Sequence, residues 1–356
     1  MHKKSPHILV VGAGIIGASI AWYLTQRGAA VTIVEAAEPG GVATPNSFSW
    51  INSNYSFEQS YFDLRHRSMA EWKQLSHDLP QLPVSFSGSI YLPQHGLDIE
   101  DFVDNHSAWG YRISLIDGAK VRELEPNLAD DVELAAHARD EGAAETQDVA
   151  RLLVAAAVED GAQLLTGAAV EGLDYLGEHV SGVRTKDGSL QADEVIIAAG
   201  AATPQLLAET SYDLSLNTPP GLLAHTKPVP QLVNGVILAE GLHIRQKRDG
   251  ALLIGADFEG SILEDDPASG ARELMRRLGA LISTNQAFIL DRVTTGLRPT
   301  PQDGLPVVGR VPGTEGLYIS VMHSGVTLAP AIGLLAAQEI LDGKRDPLLA
   351  PFGPEQ

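Results

Sequence analysis

The hydrophobic pattern is clearest at the start of the chain. Ile8-Leu9-Val10-Val11 is a short apolar run of the kind that forms a buried parallel strand. After a glycine-rich hexapeptide, apolar residues recur at helical spacing (Ile15, Ile16, Ile20, Tyr23, Leu24) until Gly28, a helix stop. Val31 to Val34 reads as a second strand, closed by Glu35. Residues 56–77 predict an amphipathic helix whose aromatic and aliphatic stripe faces a core. Val84 to Leu92 alternates like a strand, and residues 98–124 predict a helix, a turn at Gly110 and a partly helical piece. A helix is expected over Val149 to Glu159, strands at Leu164 to Val170, and a β-ribbon at Val180–Arg184 and Gly188–Gln191. Glu194 to Ala198 is a further buried strand. Ile237-Leu238, Leu242 to Arg245 and Ala251 to Gly255, with turns at Gly241 and Asp249-Gly250, predict an antiparallel sheet. A helix follows over 268–283. Leu317 to Val321 then predicts a strand, Met322 to Thr327 a turn, and Leu328 to Leu341 a helix with Pro330 in its first turn.

The hexapeptide between the first strand and helix is Gly12-Ala13-Gly14-Ile15-Ile16-Gly17, a G-x-G-x-x-G. Gly12 permits the tight turn, Gly14 lets a pyrophosphate approach the backbone, and Gly17 lets helix and strand pack closely. The helix start presents unpaired N–H groups and a partial positive charge to phosphates. Glu35 is placed to accept hydrogen bonds from ribose hydroxyls and to repel a 2′-phosphate. The motif alone is weak evidence; strand, glycines, helix, strand and acid in this order make it strong. These observations predict an α/β chain: a Rossmann-like dinucleotide-binding domain with an inserted antiparallel-sheet α+β substrate domain. The expected division is 1–85, 141–205 and 291–356 for the first, and 86–140 and 206–290 for the second.

Composition narrows the chemistry. The chain has 356 residues and a formal net charge of −20, from 45 acidic and 25 basic side chains. That charge argues against nucleic acid and against an anionic membrane surface. There is no cysteine, so disulfides, thiol catalysis and a cysteinyl link to a cofactor are excluded. The basic N-terminus runs into a strand, not a signal peptide, and no apolar stretch is read as a membrane span. A cytoplasmic location is the expectation.

Three further blocks carry a resemblance. Ala198-Ala199-Gly200 ends a buried strand. Gly296-Leu297-Arg298-Pro299 is followed by Asp303-Gly304-Leu305-Pro306 and Gly309. His323-Ser324-Gly325-Val326-Thr327-Leu328-Ala329-Pro330 forms the terminal turn. Together with the N-terminal fingerprint, they resemble the FAD-dependent D-amino-acid oxidase family, in particular its glycine oxidase and sarcosine oxidase branch. The resemblance implies FAD, here noncovalent, and oxidation of the C–N bond of an amino acid or secondary amine. A hydride passes to flavin N5, and water hydrolyses the imine product. By position, it implies that Gly12, Gly14, Ile15, Ile16 and Gly17 hold the pyrophosphate and Glu35 the adenosine ribose. Ala43, Thr44, Asn46 and Ser47 would lie along the pyrophosphate and flavin, Val170 against adenine, and Ala199 and Gly200 near the cofactor. His323, Gly325, Val326, Thr327 and Leu328 would lie under the flavin pyrimidine. Arg298 occupies the position of a substrate carboxylate clamp, a role its guanidinium fork suits. Arg245 is a second candidate, or a strand-edge residue.

For the base that takes the amine proton, His323, His225 and His243 are candidates; Tyr55 and Tyr91 are candidates for substrate contact. Two departures from the family stand out. A second arginine common in the terminal turn is missing, and Leu253 stands where sarcosine-oxidase-like members carry a lysine over the flavin. The missing lysine points toward a dehydrogenase or a slow oxidase, and the expected electron acceptor is dioxygen or a partner protein or quinone. Two alternatives remain open: a flavin subunit of a hetero-oligomeric dehydrogenase, and a flavoenzyme acting on a carboxylate-free amine or a hydroxy acid.

Overall fold

A computed structural model describes residues 5–54, 58–129, 132–256 and 266–354. Tyr55 lies outside them. Two large sheets organise these residues. The first has six strands in the order Val307–Arg310, Leu317–Val321, Glu194–Ile197, His7–Val11, Ala30–Val34 and Gln163–Leu165. All pairings are parallel except the one between Val307–Arg310 and Leu317–Val321. Ile8, Leu9 and Val10 are fully buried, which accounts for the unbroken apolar run. The fingerprint helix, Ile15–Gln26, packs between the helix Thr146–Glu159 and the C-terminal helix Gly325–Asp342.

The second sheet has eight strands, ordered Leu290–Leu297, Pro220–Thr226, Leu252–Gly255, Leu242–Gln246, Val236–Ala239, Ser89–Tyr91, Leu134–Ala138 and Ile113–Asp117. The strand Ile113–Asp117 falls where a partly helical piece was expected; only Gly118–Leu124 is helical there. Only Ile113 is buried along it; Leu115 and Asp117, two and four residues on, are exposed, so no apolar–polar alternation signals a strand. The strand Leu290–Leu297 belongs to this sheet, as an edge. One row of directly opposed residues crosses the sheet: Leu223, Gly255, His243, Leu238, Tyr91 and Ala136. Arg245 is not at a strand edge. Its strand lies in the interior of the sheet, and its side chain is only 5% exposed.

The C-terminal helix begins at Gly325, three residues before the expected start, so Pro330 sits inside it. Proline has no N–H to give to the carbonyl four residues back, here Val326 O. The buried indole of Trp72 supplies the missing donor: its Nε1–H donates to Val326 O and Thr327 O, each at 3.0 Å. Trp72 stands on the helix Gln59–Asp78, which thereby fixes the start of the C-terminal helix. This C-terminal helix is long and apolar enough to cross a membrane by length and composition, contrary to the sequence expectation. It is a core helix, packed on the fingerprint helix and on Gln59–Asp78.

Candidate active site

Between the two sheets lies a cavity of about 1070 Å³. It extends from Glu35 and Val170, at the parallel sheet, to Leu238 and His243 on the antiparallel sheet. Its first end is shaped by the fingerprint. Gly12 has φ +103°, and a Cβ there would lie 2.6 Å from Ala198 O. Only glycine fits both the angle and the space. A Cβ at Gly17 would overlap Gly12 O. The third glycine therefore does not line the cavity; it seats the helix against the turn that does. Gly14 caps the helix without a side-chain hydrogen bond, and no acid stands in the first turn. The helix start is thus open to an anion. Glu35 is buried, and both of its oxygens are oriented by backbone donors: Ala13 N at 2.7 Å and Ala37 N at 3.0 Å.

The segment from Val42 to Trp50 forms a second wall. Thr44 Oγ1 accepts from Ile15 N at 3.1 Å, tying this segment to the helix start. Ala43, Asn46 and Ser47 also face the cavity. The segment is held from behind by Arg245. Its Nε donates to Phe48 O at 2.7 Å, Nη2 to Ala144 O at 3.2 Å, and Nη1 pairs with Glu145 at 2.9 Å. These bonds commit Arg245 to structure, and it does not line the cavity. Among the described residues, only Ser49 and Ser324 are non-glycine residues with positive φ, at 67° and 56°. Both line the cavity, which is where backbone strain tends to be kept.

The third wall carries the charged group. The Arg298 guanidinium lies flat on Gly221, where a Cβ would come within 2.8 Å of Cζ and closer still to Nη2. Gly221 is directly opposite Gly296, and a Cβ at Gly296 would strike Asn46 O. One glycine pair therefore admits both the arginine and the covering segment. Burial pushes the Arg298 pKa down. His323 lines the cavity with its Nδ1 3.0 Å from Ser324 Oγ. Burial, then the charges of Arg298 and Arg65, push its pKa down to about 4. His243 also lines the cavity, with its ring against Gly255 and edge-to-face with Phe48 at 4.3 Å. Burial and Arg298 push its pKa down to about 3. Both imidazoles are neutral near pH 7 and can accept a hydrogen bond, but each is a weak base.

The cavity thus brings together Gly12, Gly14, Ile15, Ile16, Glu35, Ala43, Thr44, Asn46, Ser47, Val170, Ala199, Gly200, Arg298, His323, Gly325, Val326 and Thr327. Leu328 does not face it; it is fully buried in the core behind the first turn of its helix. His225 is off the cavity, buried and 3.0 Å from Thr294 Oγ1. Tyr91 and Leu253 are likewise buried off the cavity. Sequence reading missed Asn52, Tyr61 and Arg65, which enter the wall from the far end of the covering segment and from the helix Gln59–Asp78. Arg65 is bound to Asn52 O, Asn52 Oδ1 and Asn54 O. Helical periodicity marks this arginine only as a polar residue beside an apolar stripe.

A parallel sheet with a glycine fingerprint, an acid after its second strand and a cavity roofed by an antiparallel sheet defines a dinucleotide-dependent oxidoreductase. Comparison with known proteins specifies the cofactor. The FAD dependent oxidoreductase family, DAO, matches residues 7–339, and the chain belongs to it. It is an FAD-dependent enzyme. Glycine oxidase of Pseudomonas aeruginosa is 29% identical over 98% of this chain and 99% of its own length. Glycine oxidase of Geobacillus kaustophilus is 28% identical over 97% of this chain and 95% of its own. The crystal structure of glycine oxidase from Geobacillus kaustophilus superposes with a TM-score of 0.87 and covers 99% of each chain. A structure of L-proline dehydrogenase from P.horikoshii, at 22% identity, shares the fold with a TM-score of 0.87.

Proposed function

We propose that this enzyme oxidises the C–N bond of an amino acid or secondary amine that carries a carboxylate. The observation that carries the reading is the Arg298 guanidinium, seated on Gly221 and lining the cavity together with two neutral imidazoles whose pKa values its charge lowers. The relatives' printed activities agree with it. The residues fit FAD: the helix start at Gly14 would hold the pyrophosphate, Glu35 the ribose, and the start of the C-terminal helix the ring system. Held noncovalently, FAD would supply the two-electron acceptor for a hydride from the carbon next to the amine nitrogen, and water would hydrolyse the resulting imine.

The chain's own residues bind and orient the substrate. Arg298 takes the carboxylate through two parallel N–H···O bonds. His323 and His243 are neutral, so each offers the amine a hydrogen-bond acceptor without adding a positive charge. With a pKa of about 4, His323 holds a proton poorly and serves as a hydrogen-bond acceptor for the amine N–H; bulk solvent takes the proton. The backbone N–H groups at Gly325 to Thr327 line the cavity and would stabilise negative charge developing on the ring. Beside Arg298, the wall formed by Leu223, Leu238 and Leu242 is apolar and accommodates an uncharged substituent.

An anaerobic screen tests this reading. Neutral amino acids and N-alkyl amino acids should bleach the bound flavin, and the matching decarboxylated amines should not. Bleaching by the decarboxylated amines alone would overturn it. Repeating the turnover with dioxygen and with an artificial dye then identifies the class of electron acceptor.

A further inference from the structure

Glu141 is a fully buried carboxylate outside the cavity. Its neighbour Asp140 faces Lys73 and Arg112 at the surface, whereas Glu141 turns inward to the neutral side chains of Ser89, Trp50, Tyr91 and Tyr111. Oε2 accepts from Trp50 Nε1 at 2.8 Å, an N–H that Ser89 Oγ shares at 3.1 Å. Oε1 accepts from Tyr91 OH at 2.6 Å and from Tyr111 OH. An indole N–H can only donate. The Tyr111 oxygen already accepts from Ser53 N at 3.1 Å, so its own proton points at Glu141. The indole and Tyr111 therefore both donate to the carboxylate, whose pKa burial pushes up to about 7.

Trp50 is the link to the cavity. Its side chain lines the wall, and its carbonyl accepts from Thr327 Oγ1 at 3.2 Å, in the first turn of the C-terminal helix. Asn52 N, two residues on, donates to the same Thr327 oxygen at 3.3 Å. Glu141 thus grips residues 50–53 from behind, at the Trp50 indole and, through Tyr111, at Ser53. The front of that segment meets the helix start. We propose that Glu141 is a positioning residue for the oxidation site, fixing the Trp50 indole and the 50–53 segment against the cofactor-facing turn. The proposal rests on the flavin reading of the cavity but not on the identity of the substrate.

Glu141→Gln keeps the volume and removes one acceptor. The amide NH2 then faces either the Trp50 N–H, which can only donate, or the tyrosine hydroxyls, which must turn their protons away to accept from it. The direct readout is the Trp50 indole N–H resonance of ¹⁵N-tryptophan-labelled protein, identified by its absence in Trp50→Phe. In Glu141→Gln this resonance should shift and exchange faster with solvent. Flavin content should stay at the wild-type level, and anaerobic reduction by the best amino acid should slow about tenfold. Trp50→Phe should slow it similarly, and the double variant should slow it no further. An unmoved Trp50 resonance, wild-type reduction in Glu141→Gln, or additive losses would overturn the proposal. If Glu141→Gln fails to fold, Trp50→Phe with Tyr111→Phe gives the same non-additivity test. If no amino acid reduces the wild type, the substrate reading falls, while the resonance still decides the case of Glu141.

Discussion

Replacing Arg298 with alanine removes the proposed carboxylate clamp. The expected loss follows from its setting. Hydrogen bonds to charged groups contribute about 1.5–3 kcal/mol each, and leaving a buried charge unpaired costs about 2–5 kcal/mol. Arg298 is desolvated enough to depress its pKa, so the upper part of the single-bond range applies. A loss of about 3 kcal/mol in transition-state binding corresponds to a fall in kcat/KM of roughly 100-fold. Arg298→Lys keeps the charge but loses the fork, and should fall in between. The assay is stopped-flow reduction of bound flavin under anaerobic conditions, with an amino acid and its decarboxylated analogue side by side. The analogue should lose less than about threefold, since it never used the clamp. Flavin binding should not change. Equal losses for both compounds, or an Arg298→Ala enzyme within threefold of wild type on the amino acid, would refute the assignment.

Other residues give contrasting outcomes. Arg245→Met breaks a buried ion pair with Glu145 and should cost about 3–5 kcal/mol of stability, read as a fall in Tm, with KM of the surviving enzyme unchanged. A raised KM at unchanged Tm would instead make Arg245 a substrate ligand. Gly17→Ala places a methyl group against Gly12 O; the protein should emerge from gel filtration without flavin even when FAD is supplied, and normal flavin content would contradict the packing argument. His225, His243 and His323 are held at about 4, 3 and 4, below the unfolded value of about 6.5. The unfolded chain therefore binds protons that the fold refuses, and stability falls as pH drops through 6.5 toward 4, by up to about 3 kcal/mol per histidine; Glu141, raised to about 7, takes up a proton in the fold over the same range and offsets about one of the three. Urea midpoints that stay flat from about pH 7 to pH 5 would contradict these shifts.

The residues that were legible in the sequence are those whose role is set by local chain geometry. Gly12, Gly14 and Glu35 act within one strand–turn–helix–strand unit, and their spacing alone states the job. Arg298 was legible only through resemblance, because the glycine that seats it, Gly221, is distant in sequence and adjacent only through strand pairing. Arg245 misled for the same reason: nothing local says that its strand is central or that Phe48, Ala144 and Glu145 converge on it. The start of the C-terminal helix was misplaced because a proline usually marks a first turn, and the donor that rescues this one comes from Trp72. Glu141 has no sequence signal either. It reads as one acid in a surface turn beside Asp140, and only the converging tyrosines and indole reveal a buried hub.

The central claim is that FAD in this cavity accepts electrons from a carboxylate-bearing amine. Anaerobic titration of the FAD-loaded enzyme with a panel of neutral and N-alkyl amino acids tests it most directly. The claim predicts that at least one of them bleaches the visible flavin band and that Arg298→Ala suppresses this bleaching. An enzyme that carries FAD but stays oxidised with every one of them, while a carboxylate-free amine or a hydroxy acid reduces it, would contradict the claim.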